Sequence, residues 1–215
     1  SLTSGFNISS DKTQNAKLNE MVGFTKDELI NMMHDMGITE KEQENILPIM
    51  KENYDGYKFA IDGTERIYNS NMCLFFLNGY LDEGKIPNEL IDMNIASDYS
   101  KLGKMLDLCK GEEREKIIEK TVSGEGIVGE ITRQFNPAVE FTDKELVAML
   151  FYLGYLTIAG EEFGTPELKI PNRVMKEIYS SYFLQILSQN ADLQITQSDY
   201  NEIVREIALE GKIEK

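Results

Sequence analysis

The chain has 215 residues, 41% of them hydrophobic, and 37 acidic against 22 basic side chains give a formal charge of −15. That is enough apolar material for one large domain or two small ones, and it excludes wholesale disorder. It also counts against phosphate-backbone binding: each such contact needs a Lys or Arg that displaces counterions, no basic run is visible, and Lys116 and Lys120 are offset by Glu115 and Glu119.

In chain order, the first sixteen residues are polar and without periodicity, and read as a loop. Thr25 and Glu28 then make a capping box that opens a helix through Leu29, Met32, Met33 and Met36, with Gly37 as its terminator. Thr39 and Glu42 repeat the box at once, and Ile46, Leu47, Ile49 and Met50 supply an apolar face. Pro48 inside this second helix predicts a kink or an early stop. The two helices form a hairpin around the Gly turn. Tyr57 to Ile61, then Asp62-Gly63, then Ile67-Tyr68 predict a β-hairpin with a loop longer than the two-residue ideal.

Asn71 to Tyr80 predicts a helix buried on most sides, and Tyr99 to Cys109 and Glu113 to Lys120 two further amphipathic helices. Ile131 to Phe135 reads as a strand. Thr142 and Glu145 cap an apolar helix that Gly154 ends. Tyr155 to Ala159 predicts a strand, Gly160 to Pro166 a turn, Leu168 to Ile170 the partner strand, and Pro171 the start of a helix carrying Val174, Ile178, Phe183 and Ile186. Helix, two-stranded wing and helix form the skeleton of a winged-helix domain. Ser198 to Ile213 is a separate helix with polar flanks and a weak apolar face. The expected fold class is therefore mainly α with small β-hairpins. Its units are a loop at 1–16, a helical region at 17–140 with the hairpin near 57–69, a winged-helix-like domain at 141–188, and a linker helix at 189–215.

Motifs that carry chemistry are scarce. Gly124-Glu125-Gly126-Ile127-Val128-Gly129 matches G-x-G-x-x-G, but a charged helix precedes it and a strand is expected after it, the reverse of a dinucleotide loop. It reads as a turn. No phosphate-cradling G-x-x-x-x-G-K-[ST] occurs, and His34, the sole histidine, gives zinc or Ser-His constellations little to build on. Asp27-Glu28, Glu112-Glu113 and Glu161-Glu162 sit at expected helix starts or in turns, where they serve the helix dipole or solubility. Arg173 and Lys176 lie on the helix that would enter a DNA groove, among Glu161, Glu162, Glu167 and Glu177, so direct nucleic-acid binding is not expected. Cys73 and Cys109 each lie in an apolar pattern and read as buried free thiols. No apolar run is long enough to cross a membrane and no secretory signal is visible, so the expected compartment is the cytoplasm.

Tyr54-Asp55-Gly56-Tyr57-Lys58-Phe59 holds three aromatics around a Gly turn, which by itself says "anchored turn". With Ile67-Tyr68-Asn69-Ser70, it resembles the Y-[DN]-G-Y-x-F … [VI]-Y-N-P stretch of the AAA-ATPase-like family of bacterial proteins, which usually carry a C-terminal PD-(D/E)xK nuclease-like domain. Leu2 to Ile8, Asn19 to Thr25, Ile91 to Tyr99 and Leu150 to Ile158 are similar to further blocks of that family; Ser70 departs from its proline. The resemblance implies that the Walker segments lie before Ser1 and the nuclease motifs beyond Lys215, so no residue here inherits an ATP-binding or nuclease role. It implies a helical lid, a middle helical region and a winged helix. ATP and Mg would belong to the full-length parent, and the partners would be its ATPase core and nuclease-like domain. Tyr54, Asp55, Gly56, Tyr57, Phe59, Tyr68 and Asn69 are then motif residues without an assigned role, and the surface near Tyr54 to Asn69 is one that the other domains would cover.

Overall fold

The computed structural model describes residues 12–91, 102–106, 112–132 and 142–190, with backbone alone at 112–115 and 183–190. Most of the Tyr99–Cys109 helix, residues 133–135 of the expected strand, the Phe183 and Ile186 side chains and the Ser198–Ile213 helix lie outside the described residues. The described chain is mainly helical with a small sheet. A 3₁₀ turn at Ala16–Val22 leads into α1 (Lys26–Asp35), α2 (Glu40–Tyr54) and α3 (Ser70–Glu83). Next come α4 (Glu112–Ser123), β1 (Ile127–Val128), α5 (Asp143–Tyr152), β2 (Thr157–Glu162), β3 (Thr165–Lys169) and α6 (Arg173–Asn190).

The helix starts follow their capping residues. In α1 the Thr25 hydroxyl accepts from the Glu28 N–H at 3.2 Å, and the Glu28 carboxylate accepts from the Thr25 N–H at 2.9 Å. Thr39 and Glu42 do the same for α2 at 3.4 and 2.8 Å. At α5, the Glu145 carboxylate accepts from both the N–H and the hydroxyl of Thr142. These bonds hold the Glu42 and Glu145 carboxyls below the usual range, the threonine hydroxyl being the main cause. Gly37 ends the first hairpin arm at φ +82° and Gly154 ends α5 at φ +77°.

Pro48 does not stop α2, which runs on to Tyr54. Its ring faces solvent, while Ile46, Met50 and Tyr54 recur every four residues on the buried face and hold the helix together. Helix α3 is longer than expected at both ends and is buried on one face only: Met72, Cys73, Phe76 and Leu77 are covered, whereas Leu74 and Leu81 are partly exposed. Asn69 is its cap, accepting from the Met72 N–H at 3.1 Å. Ser70 therefore occupies the first helical position, a place that suits proline.

The sheet is three-stranded and antiparallel in the order β1-β3-β2. Its strand β1 lies inside the G-x-G-x-x-G stretch, so that stretch is in part a strand paired with β3 and not only a turn. Ile131 and Thr132 are not in a strand. The β2–β3 turn is two residues long, because both strands reach further than the Gly160–Pro166 turn expected from sequence. Glu161 and Glu162 therefore end a strand. Both turn residues have positive φ, Phe163 at +50° and Gly164 at +80°, the sign that a two-residue hairpin connection requires.

One hydrophobic cluster joins α1 to α3, the helical residues 102–106, α4, α5, the sheet and the start of α6. Leu29, Met33, Met50, Phe76, Leu77, Leu102, Leu146 and Leu150 are fully covered. Each such side chain contributes about 1.5–3 kcal/mol of burial. Among the described helices none is long and apolar enough to cross a membrane. Cys73 is a buried free thiol, pushed up to about 12 by desolvation first and by Asp55 second, so it is inert as a nucleophile.

Candidate functional site

The block that stands out in the sequence lies at the end of α2 and in the extended segment that follows. Tyr54 closes the helix on its buried face. It meets Phe76 edge-on at 6.0 Å between ring centroids, and its hydroxyl donates to the Leu90 carbonyl at 2.8 Å. Gly56 takes the turn at φ +109°, a backbone region that suits glycine. A Cβ there would fall 2.1 Å from the Pro171 carbonyl oxygen, so the missing side chain also lets two backbones touch. Tyr57 exchanges two backbone hydrogen bonds with Ile67, at 3.2 and 2.9 Å, and Tyr68 exchanges two with Phe24, at 2.8 and 3.0 Å.

The Tyr57–Ile67 pair is all that forms of the expected β-hairpin at 57–69, because Tyr68 pairs with Phe24 outside it and the backbone groups of the loop bind elsewhere. The Phe59 and Ala60 N–H groups donate to the Asn19 side-chain oxygen at 2.8 and 3.2 Å. The Lys58 N–H donates to the Thr157 hydroxyl at 2.6 Å, and the Lys58 carbonyl accepts from the Ile158 N–H at 3.1 Å. Asn19 also donates to the Glu65 carbonyl at 2.9 Å, so one buried amide ties both sides of the loop. Leaving those two N–H groups unpaired would cost about 1–3 kcal/mol each.

Two more side chains fasten the block to the C-terminal elements. Asn172 caps α6 by accepting from the Met175 N–H at 3.1 Å, and donates to the Asp55 carbonyl at 3.1 Å. Helix α6 thus starts after Asn172, not at Pro171. Arg66 donates to the carbonyls of Gly56 at 2.7 Å and of Ile158 and Ala159 at 3.3 Å. Ala159 is the extra residue where the β2–β3 register slips, so the guanidinium covers carbonyls turned out by a bulge.

The motif residues are therefore brought together, but as an interior hub. Tyr54, Tyr57 and Tyr68 are buried within this chain, and the expectation of a surface for other domains does not hold for them. Desolvation is the main cause that raises all three phenols, Tyr68 to about 12; hydrogen bonds from Asn172 and Asn69 oppose the shift at Tyr57. Phe59 is the exception. It stacks on Tyr57 at 6.1 Å, leans on Phe151 at 5.7 Å, and lines an open groove of about 290 Å³ with Leu18, Val22, Tyr152 and Lys12.

Arg173 is held by Glu52 at 3.1 Å and by Glu177 at 3.2 Å, joining α6 to α2, while Lys176 is exposed. His34 is exposed on α1 beside Asp35. Among the described residues no group of His, Cys, Asp and Glu is arranged to hold a metal. The hub's key partners Asn19, Thr157 and Arg66 carry no local signal, since their contacts lie far off in sequence; Asn172, after a proline and before an apolar run, has the signature of a cap. Comparison with protein-family models, with curated proteins and with solved structures finds no match to this chain.

Proposed function

We propose that this chain is a regulatory, non-catalytic region of a bacterial AAA-type ATPase, a lid followed by a winged-helix-like part, with ATP and Mg²⁺ handled by the parent's ATPase core. The observation that supports it is how the Y-D-G-Y-x-F block is used. Its backbone and side chains are committed to contacts that hold the α1–α2 hairpin against β2 and the start of α6. A block so committed can transmit displacement between these elements. Force applied to α1 or α2 passes to α6 through Asn172 and through the Arg173–Glu52 pair. The test is a calorimetric titration of this chain with Mg·ATP. The expected result is no heat beyond dilution; binding in the micromolar range would sink the reading.

A second reading, a winged-helix nucleic-acid-binding module, draws support from the sheet order. Helix and strand (α4, β1), then helix, hairpin and helix (α5, β2–β3, α6), with β3 in the middle, are compatible with such a domain. Against it stand the engaged Arg173, the acids Glu161 and Glu162 on the wing, and the overall charge. A gel shift with mixed DNA at low salt that shows no retardation removes it.

A further inference from the structure

Two features are left unused by these contacts. The first is Phe163, whose side chain is 100% exposed at the tip of the β2–β3 hairpin. It also occupies a left-handed position, φ +50°, where Asn or Gly is favoured and a bulky aromatic is strained. Nothing in the hairpin's own geometry asks for a phenyl ring there. The second is the groove beside the hub. Leu18, Val22, Phe59, Phe151 and Tyr152 give it an apolar lining, and Val22 is 63% exposed. At about 290 Å³ it has room for a benzyl group, since a cavity of about 150 Å³ already holds benzene.

We propose that Phe163 of one copy seats in this groove of a second copy, giving a head-to-tail self-association. Fully exposed, Phe163 is not buried among the described residues, so it does not fill its own groove. The charges at the two sites are complementary. Exposed Glu161 and Glu162 precede the tip, and Lys12 is the sole charged residue among the described residues lining the groove, in a chain where acids outnumber bases 37 to 22. Lys17 and Glu20, on the outer side of the 3₁₀ turn, offset each other. Nucleic acid and anionic lipid fit the acidic tip worse than this groove does. The plug and the socket are different patches, so the contact is heterologous and each pair keeps one plug and one socket free.

An interface centred on one aromatic ring belongs to the weak range, with Kd on the order of 0.1–1 mM. Sedimentation of the whole chain is therefore followed up to about 1 mM in about 0.15 M salt, where the net charge is screened beyond about 8 Å. Wild type should gain mass with concentration. Phe163→Asn removes the ring and places the residue preferred for such a turn, so its loss of association is not a folding defect. Val22→Glu blocks the socket at an exposed position. Each variant alone should stay monomeric, and an equimolar mixture should form a dimer and nothing larger, because it holds one intact plug and one intact socket. Wild type that remains monomeric throughout overturns the proposal. So does Phe163→Asn that associates like wild type, or a mixture of the two variants that stays monomeric.

Discussion

Gly56 and Gly37 both have positive φ, +109° and +82°, yet their surroundings differ. A Cβ on Gly37 would meet nothing within 4 Å, whereas one on Gly56 would strike the Pro171 backbone at 2.1 Å. Gly37→Ala should therefore cost only the backbone strain, about 1–2 kcal/mol. Gly56→Ala adds the separation of α2 from the start of α6 and should cost about 3–5 kcal/mol. Urea unfolding of the two variants checks this, and equal losses would mean that the Gly56–Pro171 contact does not hold the fold together. The tyrosines around Gly56 are conspicuous in the sequence because three aromatics flank one glycine. What they do is not visible there, since their partners at Phe24, Leu90 and Asn172 belong to other segments.

At the scale of elements, local chemistry was readable and competition between distant groups was not. The Thr25–Glu28 and Thr39–Glu42 boxes act within one turn and form as the sequence predicts. The hairpin at 57–69 has suitable turn residues, yet Asn19 and Thr157, 40 and 99 positions away from the groups they bind, take the N–H groups that would have built it. The β2–β3 hairpin is an intermediate case: its existence was legible, but its two-residue turn was hidden by Phe163 standing at a position where Asn is the usual signal. Helix α2 shows packing overriding propensity, since Ile46, Met50 and Tyr54 carry it past Pro48. Because the Pro48 ring points to solvent, Pro48→Ala removes a backbone penalty without opening a cavity. It should raise stability by about 1–3 kcal/mol. Thermal melting checks it, and a lowered midpoint would mean that the proline's fixed φ is needed to aim Tyr54.

The whole molecule is organised around buried phenols. Tyr54, Tyr57, Tyr68 and Tyr179 come from α2, the extended block and α6, and meet in one core. Desolvation is the first cause that raises each of them, and the Tyr179 hydroxyl has no hydrogen-bond partner among the described residues to ease ionisation. In the unfolded chain these groups lose their protons near the ordinary value of 10.0, while in the folded chain they keep them until higher pH. Between those values the unfolded state binds fewer protons than the native state, so stability falls as pH rises. The contribution of the buried tyrosines to stability should therefore be constant up to about pH 10 and be lost progressively above that. The Tyr68 contribution is gone once pH passes its folded value of about 12. Cys73, also raised to about 12 and buried, begins the same loss nearer its ordinary value of 9.0. An alkaline titration should show the phenolate absorbance of these buried residues rising together with the loss of helical circular dichroism. A fully ionised set of tyrosines in a chain that keeps its helical signal would mean that the hub is open to water, and the rigid link from α2 to α6 would fall with it.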